Sequence, residues 1–288
     1  MPYADNDGVS LYYETDEPTD GAGQSDGGDE SSGHPTDESG PETVALVEGL
    51  GYGRWMWNWQ RDRLADEGYR VVVWDNRGAG DSDAPEGPYT IAEMASDLDA
   101  VLADAGVERA HVVGASMGGM IAQQYALDYD RAASLGLLCT SHGGEAAHDV
   151  PPETQARMFD VPDDADEREA IRYKMAPAMT DAFREENDDL VADIVDWRLD
   201  SDASDEAREA QAAGVMAFDA SDRLDDIEIP ALVAHGTADE VLPVENADLL
   251  HEKLSNSRLA IFEGGPHLFF LERADDVNDR LVEFLDDV

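Results

Sequence analysis

The sequence is poor in basic residues and cysteine, and it has no long apolar segment. Only 19 of its 288 residues are lysine or arginine, against 66 aspartates and glutamates, so the formal net charge at pH 7 is −47. A charge of this sign repels phosphate backbones and anionic lipid, which excludes nucleic acid and anionic membranes as expected partners. The single cysteine, Cys139, excludes an internal disulfide and a cysteine-based metal cluster. We expect it in the core.

Signals for export, membrane insertion and cofactor binding are also missing. No segment approaches the run of about 18 apolar residues that a spanning helix needs. The N-terminus lacks a basic region followed by an apolar run, which is the pattern of a secretory signal. The sequence contains no metal cluster, nucleotide-binding loop or flavin motif. We therefore expect a cytoplasmic protein that uses no metal and no cofactor.

The few basic residues are almost all arginines, since only Lys174 and Lys253 are lysines. High net charge is often a sign of disorder, but apolar periodic segments run through most of this chain. The composition, rich in aspartate and poor in lysine, is similar to that of haloarchaeal cytoplasmic proteins. We therefore expect the fold to depend on concentrated salt, which screens the repulsion among acidic side chains.

Short apolar runs alternate with amphipathic stretches along the chain. Runs typical of strands cover residues 8–15, 44–47, 69–74, 111–114, 135–139, 231–234 and 259–262. Between them, helical spacing is clear over residues 91–105, and helices are also expected at 56–67, at 117–128 and at the C-terminus. Continuously apolar strands alternating with helices predict an α/β fold, with a mostly parallel sheet covered by helices on both faces.

Two segments interrupt this alternation. Residues 17–42 are almost free of apolar side chains, which predicts a flexible acidic loop between two strands. Residues 143–222 contain helical patterns, such as 164–179 and 181–199, and no convincing strand. They predict a helical lid inserted into the core domain, whose two parts are then residues 1–142 and 223–288.

The segment Gly114-Ala-Ser-Met-Gly118 matches the G-x-S-x-G pattern of a nucleophilic serine. It follows a predicted strand and begins an apolar helix, and this context is what the pattern requires. The glycines permit a sharp turn that exposes the serine hydroxyl. The N-terminus of the following helix favours the negative charge that develops during acyl transfer. The sequence thus predicts Ser116 as a nucleophile.

A serine nucleophile needs a base, and the base needs an orienting acid. His267 follows the last predicted strand in the tight sequence Glu263-Gly-Gly-Pro-His267, which makes it the best base. Asp239 follows the strand at 231–234 and is the best acid, with Glu240 as its local competitor. His235 lies four residues before Asp239 and is expected to shape that loop. The order serine, aspartate, histidine then completes a triad.

Together these segments resemble the catalytic triad of α/β-hydrolases. The segment from Asp75 to Ser82 is also similar to the family's D-x-R-G-x-G-x-S loop, in which we expect Asp75 and Arg77 to be structural. The resemblance implies an eight-stranded sheet with a lid. The run from Ser116 to Met120 looks like that of enol-lactonases, haloperoxidase-like esterases and small carboxylesterases.

The resemblance also implies an oxyanion hole made by two backbone N–H groups, those of Met117 and Leu50. Family members commonly carry His-Gly before the second donor, whereas this chain carries Glu48-Gly49. Glutamate in place of histidine changes the groups that can form hydrogen bonds in that loop, and it changes the charge of the loop. Trp55 and Trp57 follow nearby, and they either pack beneath the lid or line an apolar substrate pocket.

The serine nucleophile predicts an acyl-enzyme intermediate and therefore a small carboxylic ester or lactone as substrate. A carbon–carbon bond hydrolase or an acyltransferase could use the same three residues. A non-catalytic protein that binds a small molecule in the same pocket is the remaining alternative, because a fold does not by itself confer activity.

Overall fold

The protein is described here by a computed structural model, which covers residues 2–19, 40–159, 161–162 and 164–288. The strands are β1 Tyr3–Asn6, β2 Val9–Asp16, β3 Thr43–Val47, β4 Arg70–Trp74, β5 Ala110–Ala115, β6 Ala132–Leu138, β7 Ala231–Gly236 and β8 Ser257–Phe262. The helices are α1 Asn58–Asp66, α2 Ile91–Asp104, α3 Met117–Asp128, α4 Pro152–Phe159, α5 Glu167–Met175, α6 Asp181–Glu186, α7 Asp188–Ser201, α8 Asp205–Ala217, α9 Glu245–Lys253, α10 Phe269–Glu272 and α11 Ala274–Leu285.

The eight strands form one sheet in the order β1-β2-β4-β3-β5-β6-β7-β8. The pairs from β4 through β8 are parallel, and only β1–β2 and β2–β4 are antiparallel. The predicted mostly parallel, eight-stranded α/β sheet is confirmed. Its parallel strands end at a common edge, which is where ligands bind in open α/β sheets.

The first strand is one that the apolar runs did not predict. It pairs with β2 through the turn Asp7-Gly8, whose φ angles are 53° and 88°. Both central residues of a type I′ hairpin turn need a positive φ, and Asp-Gly is a pair that favours this turn. That dipeptide is the signal from which the hairpin could have been predicted.

Alternate residues of β3 point to opposite faces of the sheet, and both faces are covered. Ala45 and Val47 belong to the apolar cluster that includes α2 and α3. Val44 and Leu46 belong to a second cluster, which includes α1 and α11. All five residues of β3 are buried. Because neither face meets water, the strand is continuously apolar in sequence.

Helices α4 to α8 form a helical insertion between β6 and β7. The ends of the insertion meet, since Gly143 pairs with Asp219 in an isolated β-bridge. The helix predicted over 181–199 is two helices, α6 and α7. It is interrupted at Asn187, whose φ of −126° and ψ of 40° lie outside the helical region and whose side-chain amide donates to the Phe183 carbonyl at 2.9 Å.

Residues 20–39, most of the predicted acidic loop, lie outside the described residues. In the described part of the chain, no helix combines the length and apolar character required to cross a membrane.

Candidate active site

Ser116 lies at the junction between β5 and α3. Its φ of 54° and ψ of −118° fall outside the regions that residues other than glycine ordinarily adopt. Such a conformation persists only where the surrounding structure imposes it. Ser116 is partly exposed, whereas Ala115 and Met117 on either side are buried. The turn therefore presents the serine at the carboxyl edge of the sheet, at the N-terminus of α3.

Two glycines allow the close packing that holds this turn. A Cβ added at Gly114 would lie 2.1 Å from the carbonyl oxygen of Gly118. One added at Gly118 would lie 2.1 Å from the carbonyl oxygen of Val47, at the end of β3. Because both neighbours are backbone atoms, neither position can accept a side chain without moving a strand or the helix.

The backbone of Ser116 is fixed from the adjacent strand. Its N–H donates to the Leu138 carbonyl at 2.9 Å. Its own carbonyl accepts a hydrogen bond of 2.7 Å from the hydroxyl of Thr140, just after β6. These contacts hold the strained residue from a neighbouring element, so its position does not depend on the turn alone.

Asp239 and His267 are in direct contact. Nδ1 of His267 lies 2.7 Å from Oδ2 of Asp239, and both side chains are buried. The other carboxylate oxygen accepts hydrogen bonds of 2.8 Å from the N–H groups of Val241 and Leu242. A neutral His267 that donates this hydrogen bond carries its proton on Nδ1 and a lone pair on Nε2.

A second histidine contacts the same carboxylate. Nε2 of His235 lies 3.0 Å from Oδ2 of Asp239 and 3.0 Å from the Leu242 carbonyl, and its Nδ1 is buried without a partner. Burial alone would raise the pKa of Asp239. The charge of His267 and the hydrogen bonds from both histidines outweigh burial and lower that pKa. Asp239 is therefore ionised at neutral pH.

The loop after β3 lies beside Ser116. A Cβ added at Gly49 would lie 3.5 Å from the Cβ of Ser116. Leu50, the next residue, is half-buried against the core cluster of α2 and α3. Met117 is the first residue of α3, so its N–H has no partner within the helix. The predicted Leu50 loop and Met117, which follows Ser116 in the chain, thus both lie next to the serine.

Glu48, which stands where the family commonly has histidine, is fully buried. The side-chain amide of Asn76 donates to its carbonyl at 3.3 Å and to its Oε2 at 3.2 Å, while Oε1 has no partner among the described residues. Burial, reinforced by the nearby carboxylate of Asp75, raises the pKa of Glu48 well above its usual value. The neutral, protonated form of the Glu48 carboxyl is therefore favoured.

Glu48 should make the stability of the protein depend on pH. In the unfolded chain its pKa is ordinary, so between that value and the raised folded value the folded state binds more protons, and stability falls as pH rises. Glu48→Gln keeps the shape without the titration. The free energy of unfolding of this variant, relative to that of the wild type, should be higher at pH 8 than at pH 5, by about 1.4 kcal/mol for each unit by which the folded pKa exceeds the unfolded one within that range.

The measurement is guanidinium unfolding at constant molar KCl, followed by circular dichroism. Glu228→Gln, at an exposed carboxyl, is the matched control and should show no such pH dependence. An equal offset of Glu48→Gln from the wild type at both pH values would contradict a neutral buried carboxyl.

The two tryptophans predicted as candidate substrate contacts lie in packed surroundings. Trp57 is fully buried, with its ring centroid 5.3 Å from that of Phe270. Trp55 lies 5.9 Å from Trp197 of α7 and donates from Nε1 to Asp202 at 3.0 Å. These contacts favour packing for Trp57 and connect Trp55 to the helical insertion.

The D-x-R-G-x-G-x-S loop is held by its own polar side chains. Asp75 accepts hydrogen bonds from the backbone N–H groups of Arg54 and Asp81. Arg77 forms two hydrogen bonds, of 2.6 and 2.7 Å, to the buried carboxylate of Asp97. The contacts are those of a structural loop. In the part of the chain that the structure describes, no group of three or more His, Cys, Asp or Glu residues is arranged to hold a metal ion.

The chain is similar in sequence to known hydrolases. Residues 42–274 match the family model described as alpha/beta hydrolase fold. The chain is 30% identical over 283 residues to "Putative carbamate hydrolase RutD" of Variovorax paradoxus, with 96% of each chain covered. It is also 30% identical to a 2-hydroxy-6-oxononadienedioate/2-hydroxy-6-oxononatrienedioate hydrolase of Paraburkholderia phymatum, with 90% of this chain and 93% of that protein covered.

Among solved structures, the chain is similar to one described as an N-acyl homoserine lactone degrading enzyme. The TM-score is 0.77 and the sequence identity 29%, and the match covers 98% of this chain and 100% of the other. The matched proteins bear the names of hydrolases that act on different bonds.

Proposed function

The chain belongs to the α/β-hydrolase fold family, and from that membership we propose that it is a serine hydrolase that cleaves a small carboxylic ester or lactone. The observation that carries the proposal is the buried 2.7 Å contact between His267 Nδ1 and Asp239 Oδ2. With Ser116 on its strained turn, this pair supplies the base and the acid that a serine nucleophile needs.

In the proposed mechanism, Oγ of Ser116 attacks the acyl carbon while Nε2 of His267 takes its proton. Asp239 stabilises the imidazolium that forms. The N–H groups of Leu50 and Met117 bind the tetrahedral oxyanion, and loss of one such donor typically costs about 10²- to 10³-fold in rate. His267 then gives the proton to the leaving alkoxide as the carbon–oxygen bond breaks. Water, activated by the same histidine, cleaves the acyl-enzyme and restores the serine.

The names of relatives favour a second candidate. The relative from Paraburkholderia phymatum is named as a hydrolase of a 2-hydroxy-6-oxo dienedioate, and another relative is named for carbamates. At about 30% identity, cleavage of a carbon–carbon or carbamate bond by the same three residues is therefore the alternative to ester cleavage.

The test is acylation by an activated ester. In molar KCl, 4-nitrophenyl butyrate should release a burst of 4-nitrophenol, and mass spectrometry should find an acyl group on the peptide that contains Ser116. A panel of lactones, carbamates, vinylogous diketones and acyl acceptors then separates the candidates. Absence of acylation by any activated ester, in protein with an intact circular dichroism spectrum, would overturn the proposal.

A further inference from the structure

Arg208, in the first turns of α8, lies over the loop beside Ser116. Its guanidinium carbon is 2.9 Å from the position of a Cβ on Gly51, and Nη1 and Nη2 are 3.0 and 3.2 Å from it. Gly51 is two residues after Gly49, whose own Cβ position is 3.5 Å from the Cβ of Ser116. The guanidinium therefore contacts the loop that contains Leu50, and it reaches that loop from helix α8 of the helical insertion.

The placement of Arg208 is fixed by hydrogen bonds between α8 and the loop. The N–H of Gly51 donates to Oε1 of Gln211 at 2.7 Å. The carbonyl of Gly51 accepts from the N–H of Ala203 at 3.0 Å, in the turn between α7 and α8. Gln211 also donates to the Arg77 carbonyl at 3.0 Å, which joins α8 to the neighbouring loop. These bonds hold the backbone of α8, and with it the backbone of Arg208, against the loop.

Arg208 shares its ion-pair partner with a second arginine. The guanidiniums of Arg198 and Arg208 both face the carboxylate of Asp202. That carboxylate is already occupied, because Arg198 Nε donates to Oδ2 at 2.7 Å and Trp55 Nε1 donates to Oδ1 at 3.0 Å. Nη2 of Arg208 lies 3.7 Å from Oδ2, which is too long for a hydrogen bond.

The guanidinium of Arg208 has donors that the described residues do not accept. Its Nε is buried without a partner, and among the described residues no side chain or carbonyl accepts a hydrogen bond from this guanidinium. A buried donor without a partner is costly, and the side chain is 27% exposed, so a ligand can reach the guanidinium from solvent. Burial, followed by the nearby charge of Arg198, lowers the pKa of Arg208. An anion bound to the guanidinium would accept hydrogen bonds from its donors and would favour its charged form.

We propose that Arg208 binds a carboxylate of the substrate, remote from the bond that is cleaved. The substrate class is then an ester or lactone that carries a second, unreactive carboxylate. The inference rests on the proposed serine hydrolase. A guanidinium at this point favours an ester with a free carboxylate over a neutral ester, because the contact is short enough to persist when salt screens the rest of the surface. The planar fork matches a carboxylate with two parallel hydrogen bonds.

The experiment compares two esters that differ only at the far end. They are the mono-4-nitrophenyl ester of adipic acid and its methyl ester, which lacks the free carboxylate; the adipic chain is long enough to keep the carboxylate from displacing 4-nitrophenolate by ready closure to a cyclic anhydride. Arg208→Gln should lower kcat/KM for the acid ester by about 10- to 100-fold, as expected for loss of a charge-assisted contact, and leave the neutral ester nearly unchanged. Arg208→Lys keeps the positive charge but lacks the planar pair of N–H donors. Its loss of kcat/KM for the acid ester should be intermediate.

The matched control is Arg168→Gln, which removes the same charge from an exposed arginine of the insertion that pairs with Asp196. It should change neither ester. An equal loss on both esters in Arg208→Gln, or an unchanged ratio between them, would reject the carboxylate site. Hydrolysis of the neutral ester by the wild type tests the proposed function separately, because that reaction does not involve Arg208.

A binding measurement keeps the inference testable if no ester is cleaved. Glutarate should change the tryptophan fluorescence of the wild type saturably, because Trp55 donates to the same Asp202 that faces Arg208. The uncharged diamide of glutaric acid should not. Equal binding of glutarate by the wild type and by folded Arg208→Gln or Arg208→Lys would overturn the inference, whatever the enzyme does to esters.

Discussion

Ser116→Ala should lower kcat/KM for 4-nitrophenyl butyrate by about 10⁴- to 10⁶-fold, the range found when the nucleophile of a serine triad is removed. The reason is that no acyl-enzyme can form, so only the binding of the ester and the oxyanion donors remain. The fold should be unaffected, since alanine is a smaller residue and retains the backbone contacts to Leu138 and Thr140. Steady-state kinetics in molar KCl give the rate, and the denaturation midpoint gives the stability.

The matched control is Ser255→Ala, at an exposed serine in the turn before β8, which should leave the rate unchanged. Loss of activity with an unchanged midpoint separates a chemical role for Ser116 from a structural one. Retention of ester hydrolysis by Ser116→Ala would place the nucleophile elsewhere and remove the basis of the proposed mechanism. A midpoint that falls together with the rate would mean that the alanine has disturbed the turn.

The parallel sheet was predictable because its signals are local. Strands buried on both faces are apolar at most positions, and Val44–Val47 is apolar throughout, which the sequence shows directly. The candidate site residues could be chosen for a related reason. Ser116, Asp239 and His267 each follow a predicted strand, and the carboxyl ends of parallel strands meet at one edge. The sequence therefore predicts that His267 and Asp239 lie close together, as they do.

What could not be predicted depends on contacts between distant parts of the chain. Glu48 has no local signal that it is buried against Asn76 and favoured in its neutral form. Arg208 lies more than 150 positions after Gly51, and only the return of α8 over the loop brings them together. His235 precedes Asp239 by four residues, but nothing in that spacing shows that its Nε2 reaches the carboxylate.

The second large effect expected is loss of the fold at low salt. In about 50 mM KCl the screening length exceeds roughly 10 Å, so repulsion among the acidic side chains extends across the surface, whereas near 1 M it falls to roughly 3 Å. With a formal net charge of −47, the chain should lose its far-ultraviolet dichroism and its activity at low salt and regain both in molar KCl. An intact, active protein in about 50 mM KCl would contradict this expectation.

A variant with fewer charges tests whether screening is the cause. Glu185, Glu186, Asp189 and Asp193 are exposed on α6 and α7, and the last two are four residues apart on one helix, where like charges repel. Changing these four to Gln, Gln, Asn and Asn should lower the KCl concentration at the folding midpoint. Arg168→Gln, which adds to the net negative charge, should raise it.

Salt can also stabilise a fold by being excluded from its surface, and the two causes give different results. Screening depends on ionic strength, so KCl and NaCl of equal concentration should refold the chain equally and sucrose should not. Exclusion would let sucrose replace the salt, and the four neutral substitutions would leave the KCl midpoint where it was. Because the repulsion is a property of the folded surface, the variant should also remain active at KCl concentrations in which the wild type has lost its site around Ser116.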